Sequence, residues 1–272
     1  MTDSFSDFEY KAWQAKAHRY AGSWGKVTSQ VIPELIESIP YQTPKENTKI
    51  LDCGCGPGDL VIAAAADGCN VTGVDFSPEM VEIAQRNIQG IHNAQVSVGD
   101  TTSLSFDDGV FDMVFLNYLL LHLADPVGAI EEAARVSRKR VAISLWLAPQ
   151  NSRGLKLIFD AVNCHADRSV IPPAKDPFSL SDAAVLDELF LQFGFRRLST
   201  KTVNTEWRVQ SGVEFFEGVQ AGSRLGGMVD LQAPQIKELI KKDILSGVEK
   251  FKVLDGFYIP MPSLFYVAEK KE

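Results

Sequence analysis

The sequence predicts an α/β protein built on a doubly wound sheet, and three observations carry that expectation. Short apolar strands alternate with helix-length stretches through the middle of the chain, the connections between them are short, and the first strand runs directly into a glycine turn and a helix. Strands are expected near 49–53, 70–75, 95–98, 111–116 and 140–147, with helices near 58–66, 78–89 and 126–137.

The first strand and its turn read KILDCGCGPGD over 49–59, so an apolar run ends at Asp52 and meets glycines at 54, 56 and 58. Glycines two apart let the backbone turn sharply and let a ligand lie against bare amides. The helix from Leu60 to Ala66 aims its unpaired N–H groups and positive dipole end at the turn, which suits a carboxylate or a phosphate. A dinucleotide turn would read G-x-G-x-x-G, but the fifth position after Gly54 is Asp59, which argues against a nicotinamide or flavin dinucleotide. The second strand, NVTGVD over 70–75, ends in Asp75, a residue type that accepts hydrogen bonds from ribose hydroxyls. Each feature has a plainer alternative. The turn can be structural, Asp75 can cap the helix that begins near Pro78, and VGD over 98–100 can be an ordinary strand-end turn.

The run from Lys49 to about Trp146 resembles the class I S-adenosylmethionine-dependent methyltransferases. DCGCGPG followed by VTGVDFSPEMVEIAQ is similar to the glycine loop and ribose strand of the ubiquinone/menaquinone-biosynthesis-like branch. VGDTTSLSFDDGVFDMVFLNYLLLHLADP over 98–126 resembles its adenine-contacting Asp and the loop after strand 4. The resemblance implies a Rossmann-like seven-stranded sheet of order 3-2-1-4-5-7-6 with the last strand antiparallel. It implies S-adenosyl-L-methionine as cofactor, with Asp52, Gly54, Cys55, Gly56 and Gly58 at its methionine part. Asp75 would meet the ribose, Phe76 and Met80 would pack near the adenine, Asp100 and Thr101 would meet its edge, and Asn117 would begin the loop toward substrate. One departure stands out. Where the branch has a Gly-Gly turn before strand 5, this chain has Ser137-Arg-Lys-Arg140, so that turn is expected to be built differently.

The 272 residues, 45% of them hydrophobic, supply an ample core. No apolar run approaches the ~20 residues of a membrane span, and MTDSFSDFEYKAW has no signal pattern. A cytoplasmic enzyme without membrane association is the expectation, as a monomer or homodimer. A net charge of −8 argues against a nucleic-acid partner, and the basic runs Arg135–Arg140 and Arg196-Arg197 sit at element ends where solvated charge is ordinary. Cysteines fall at 53, 55, 69 and 164 with no second pair or nearby His to complete a zinc set, so reduced thiols and no metal are expected. The alternative is a thiol that lines the cofactor site and reacts with alkylating reagents.

The expected organisation is one structural domain, with a helical lid over 1–40, the cofactor-binding core over 41–205, a helical cap insertion between strands 6 and 7 over 206–260, and a final strand over 261–272. Val185, Leu186, Leu189, Phe190 and Phe193 form a helical stripe that Gly194 ends, before an extended stretch from Phe195 to Val203. The lid carries Phe5, Phe8, Tyr10, Trp13, Tyr20 and Trp24, then an apolar stripe at Val27, Val31, Leu35 and Ile39 that Pro33 restricts to a first turn or a kink. The insertion carries Trp207, Phe215 and Phe216, a glycine-rich break at 222–227, and a helix from near Pro234 with Ile236, Leu239, Ile240, Ile244 and Val248 on one side. Candidates for an apolar substrate pocket are Tyr10, Trp13, His18, Tyr20, Trp24, Trp146, Trp207, Phe215 and Phe216, and core packing is the alternative for each.

Methyl transfer from a sulfonium is an in-line displacement, so alignment and exclusion of water can supply much of the rate, and a base is needed only for a protonated acceptor. His122 is the candidate base, with packing or capping as its alternative, and Tyr118 is a candidate to orient the acceptor. The expected function is methylation of oxygen or carbon on a small, largely apolar metabolite, quinone-like or from secondary metabolism. The rivals are an enzyme of this fold that transfers no methyl group, a protein methyltransferase, and a noncatalytic binding protein.

Overall fold

The computed structural model describes residues 4–222 and 224–271, in two compact units. One unit gathers the chain up to Thr28, Trp146–Lys175 and Asn204–Ser263; the other gathers Ser29–Leu145, Asp176–Val203 and Leu264–Glu272. The chain opens with two helices of the first unit, α1 (Phe5–Tyr20) and α2 (Trp24–Thr28). Ser4 begins α1 through a reciprocal capping box with Asp7.

The second unit starts with α3 (Ile32–Glu37), where Pro33 occupies the first turn that proline tolerates. The expected stripe is therefore broken into short helical pieces, yet Val27, Val31, Leu35 and Ile39 are all buried. There follow β1 (Lys49–Cys53), α4 (Asp59–Ala66), β2 (Asn70–Asp75), α5 (Pro78–Asn87), β3 (Ala94–Val98), β4 (Phe111–Asn117), α6 (Pro126–Val136) and β5 (Ser137–Trp146). After α7 (Arg153–His165), which belongs to the first unit, the second unit resumes with α8 (Ala183–Gln192) and β6 (Phe195–Val203). Gly194, at φ 78°, makes the turn between them. Of the stripe expected on α8, Leu186 and Phe190 are fully buried whereas Val185 is exposed.

The first unit is completed by β7 (Glu206–Val209), α9 (Gly212–Gln220), α10 (Arg224–Asp230), α11 (Pro234–Val248), β8 (Lys252–Val253) and β9 (Gly256–Pro260), and the chain returns to the second with β10 (Ser263–Lys270). Its small sheet is ordered β7-β9-β8, and both pairings are antiparallel. On α11 the buried line is Ile240, Ile244 and Val248, one turn apart, while Leu239 faces solvent.

The large sheet has the order β3-β2-β1-β4-β5-β10-β6, the order that the resemblance implied. β1 pairs in parallel with both β2 and β4, setting Asp52 opposite Gly73 on one side and Phe115 on the other. Ile50, Leu51, Met113, Val114, Phe115 and Leu116 have no exposure at all, as central parallel strands covered on both faces require. Burying each such side chain contributes about 1.5–3 kcal/mol. The strand order reverses direction of growth between β1 and β4, so the loops after β1, β2 and β4 collect at one sheet edge, the place where open α/β sheets bind ligands.

One expectation is narrowed and another takes definite form. The glycine-rich break is shorter than expected: the chain turns at Ala221 and Gly222 between α9 and α10, but Gly226 and Gly227 lie inside α10. A side chain on Gly226 would strike the Gln220 carbonyl, and one on Gly227 would come within 2.8 Å of the Phe8 ring, so these glycines permit close packing rather than a turn. Before β5 the connection is built differently from a Gly-Gly turn, as expected. Ser137 follows α6 directly, and a bulge sets Phe111 opposite Ser137 and Met113 opposite Arg140, with the Ser137 hydroxyl donating to the Arg140 carbonyl at 2.8 Å. Arg138 grips the fully buried Asp112 with two bonds of 2.8 and 2.7 Å, and the Lys49 amide donates to the same carboxylate at 3.0 Å. Those donors hold the Asp112 carboxyl down at about 2 against its own burial.

Candidate active site

The turn after β1 uses its three glycines for three purposes. All have positive φ (71°, 51° and 89° at Gly54, Gly56 and Gly58), a region that costs other residues about 1–2 kcal/mol. Gly54 lies under Leu119, whose Cδ1 would be 2.7 Å from an added Cβ, and Gly58 lies on Ala84 of α5 at 3.3 Å. A Cβ on Gly56 would meet nothing within 4 Å. The bare backbone at Gly56 thus faces open space, the cradle that a ligand lying against its amide needs. Cys55 fits against Gly73 of β2, where a side chain would come within 2.9 Å of its sulfur.

Two carboxylates frame this turn. Asp52 is 1% exposed, and its Oδ1 has no hydrogen-bond partner. Burial, with the nearby charges of Asp75 and Asp59 adding to it, pushes the Asp52 carboxyl well above the usual range. A buried, unpartnered acceptor in an acidic neighbourhood calls for a cationic donor, and the ammonium of S-adenosylmethionine has that character. Asp75, also buried, accepts from the Gly56 amide through Oδ2 and from the Ser77 amide through Oδ1, both at 2.9 Å. Burial raises its carboxyl, and the amides of Ser77, Gly56 and Phe76 with the charge of His122 oppose that rise. With a third amide, that of Phe76, also on the carboxylate, Asp75 keeps acceptor capacity for a ribose hydroxyl. The cap of α5 is Ser77, whose Oγ accepts from the Met80 amide at 3.2 Å, which separates Asp75 from the capping role.

The remaining expected cofactor residues fall around the same edge of the sheet. Met80 is buried beside the cap and Phe76 is half-buried. Thr101 is buried, whereas Asp100 is exposed and binds the amide and hydroxyl of Thr102 at 2.8 and 2.7 Å, forming a strand-end turn with one of its oxygens. Asn117 ends β4, and its Oδ1 accepts from the Ser144 hydroxyl at 2.5 Å. Tyr118 follows at φ 52°, the one non-glycine residue with positive φ among the described residues, in a conformation that costs about 1–3 kcal/mol. His122, half-buried on the short helical turn Leu120–His122, is close enough for its charge to bear on Asp75.

The nine candidate pocket residues all belong to the first unit. Trp24 packs against Trp146 and Trp207, at centroid distances of 5.7 and 4.6 Å, and Trp207 meets Phe215 edge-on at 5.2 Å. Trp24 is buried, and its indole nitrogen has no partner; Gly222 leaves room beside it, since a Cβ there would sit 2.7 Å away. Trp13 and Tyr20 form a second edge-on pair, and Phe216 is buried. Tyr10 and His18 are exposed on α1 and lie outside that cluster.

Sequence reasoning overlooked Ser77, Leu119 and Ser144. Ser77 carries a legible signal, a Ser-Pro pair opening a helix. Ser144 carries a fainter one, as the sole hydroxyl within VAISLW, and Leu119 carries none. Among the described residues, Cys164, His165 and Asp243 form the single group of metal-ligating side chains, far in sequence from the turn, and the His165 ring pairs with Asp243 at 2.7 Å. Cys53, Cys55 and Cys69 are buried free thiols, and Cys164 is an exposed one. No helix among the described residues is long and apolar enough to cross a membrane.

Comparison with known proteins agrees with this geometry. Residues 51–144 match a family model described as a methyltransferase domain. The demethylmenaquinone methyltransferase of Staphylococcus saprophyticus is 36% identical over 174 residues, 58% of this chain and 74% of that enzyme. Two further curated relatives are spanned over only 26% and 39% of their length. The magnesium protoporphyrin IX methyltransferase of Synechocystis, solved with bound S-adenosylhomocysteine, shares the fold at a TM-score of 0.52 and 16% identity, over 89% of this chain and 83% of that one. The [4+2]-cyclase SpnF shares it at 0.55 and 21% identity, over 91% and 83%. Turn, sheet order and relatives converge, and the chain belongs to the class I S-adenosylmethionine-dependent methyltransferases.

Proposed function

We propose that this methyltransferase acts on oxygen or carbon of a small, largely apolar metabolite, quinone-like or from secondary metabolism, and that this chain itself binds S-adenosylmethionine at the turn after β1. The observation that carries the cofactor assignment is the open backbone at Gly56 together with the buried, unpartnered Oδ1 of Asp52. When bound, the cofactor supplies a methyl group on a positively charged sulfur. Asp52 accepts from the donors of the methionine part, the Gly56 backbone permits close approach, and Asp75 accepts from a ribose hydroxyl. Burial of both carboxylates keeps water from competing for them, which strengthens each bond.

For the acceptor, support comes from the curated relative whose name places its chemistry on demethylmenaquinone. Tyr118 and His122 are assigned to the loop after β4, with Tyr118 orienting the acceptor.

The test is incubation of the protein with methyl-labelled S-adenosylmethionine and a panel of phenolic and quinol acceptors, read by mass spectrometry. Label on a ring oxygen or carbon is the expected result. The SpnF cyclase on the same fold gives the second reading its footing. Tight cofactor binding with no label on any acceptor, but with a rearranged or dehydrated product, would favour that reading.

A further inference from the structure

We propose that Ser144, on β5, is a positioning residue that sets the Asn117-Tyr118 turn at the end of β4, and through it the cofactor side of the site; this rests on the cofactor assignment above. The side chain is fully buried in the sheet, where a lone hydroxyl among apolar neighbours needs partners of its own. It has them on the adjacent strand. Its Oγ–H donates to Asn117 Oδ1 at 2.5 Å, and the Tyr118 amide donates both to the Ser144 carbonyl at 3.1 Å and to its Oγ at 3.2 Å.

These bonds have two consequences. Holding Oδ1 fixes the rotation of the Asn117 amide, so that its NH2 group is the part turned away from β5 and presented as a donor. Clamping the Tyr118 amide from two acceptors holds a bulky residue at φ 52°, where it would not rest unaided. That left-handed step starts the loop whose next residue, Leu119, covers Gly54. One hydroxyl thereby ties β5 to the loop that closes on the glycine turn.

The test compares Ser144→Ala with Ser137→Ala, which removes another fully buried hydroxyl from the same strand, one bonded only to the Arg140 carbonyl. Calorimetric titration with S-adenosylhomocysteine and thermal unfolding are measured for both. Ser144→Ala is expected to weaken binding about fivefold or more, and Ser137→Ala to lower stability with affinity unchanged. In the background of Asn117→Ala, removing Ser144 should cost little further affinity, because the two act as one unit. Wild-type affinity in Ser144→Ala, an equal loss in both serine variants, or full additivity with Asn117→Ala would overturn the proposal. Failure of the wild-type protein to bind S-adenosylhomocysteine would instead overturn the cofactor assignment.

Discussion

Replacing Asp52 with Asn should make the ligand-free protein more stable while disabling it. The carboxylate is 1% exposed, one oxygen has no partner, and two further acids add to its discomfort. A buried, unsatisfied polar group costs about 1–3 kcal/mol, and more when charged. Relief of about 2 kcal/mol corresponds to a rise of about 4–8 °C in the unfolding midpoint of a chain this size. The same substitution removes a charge-assisted acceptor worth about 1.5–3 kcal/mol, so affinity for S-adenosylmethionine should fall about 10- to 150-fold. The effect has a pH signature. Because the folded Asp52 carboxyl is raised, its contribution favours folding at low pH and is lost as pH rises through that raised value. The gain from Asn should therefore be larger at pH 8 than at pH 5. Differential scanning fluorimetry with and without ligand at both values checks this. A lower midpoint in the ligand-free variant, or unchanged affinity, would refute the assignment of Asp52 as an electrostatic acceptor held ready for a cation.

Asp112→Asn should destabilise by about 1–2 kcal/mol at neutral pH, after allowance for the partly exposed Arg138. The contribution of Asp112 is present above the unfolded carboxyl value and lost as pH falls through about 2, so acid titration of wild type and variant should converge at the low end. Trp24→Phe deletes an unpartnered buried N–H, and the gain should offset the lost volume to leave the midpoint within about 2 °C of wild type; a fall beyond about 5 °C would show that the indole nitrogen has a partner. His122→Ala should lower cofactor affinity and turnover together, because the His122 charge supports the ionised form of Asp75; turnover falling with affinity intact would make His122 a base.

The sheet was legible because its strands announce themselves one at a time. Each buried parallel strand is a short apolar run closed by a polar or glycine signal, and Lys49–Cys53 and Asn70–Asp75 appear where they were expected. The turn was legible because three glycines at alternate positions mark backbone that other residues would adopt only at a cost. Long-range packing left weaker marks. Gly226 and Gly227 look like a break in one dimension, because nothing local says that the Gln220 carbonyl and the Phe8 ring press on them. The stretch Trp146–Lys175 reads as a continuation of the core, yet it groups with the N-terminal helices and Asn204–Ser263. Ser144 gained its meaning only when β5 was laid beside β4, since its partners lie 26 and 27 residues away.

The thiols give the molecule a property unrelated to catalysis. Cys53, Cys55 and Cys69 are enclosed and held in the unreactive protonated form by burial, whereas Cys164 is in solvent. A maleimide dye offered to the native protein thus has one point of attachment, on the last turn of α7, without any cysteine having to be engineered. When the core opens, three further thiols come within reach. The ratio of labels taken up before and after a pulse of denaturant is then a clock for the opening of the sheet that carries Cys53, read without reference to any ligand or activity.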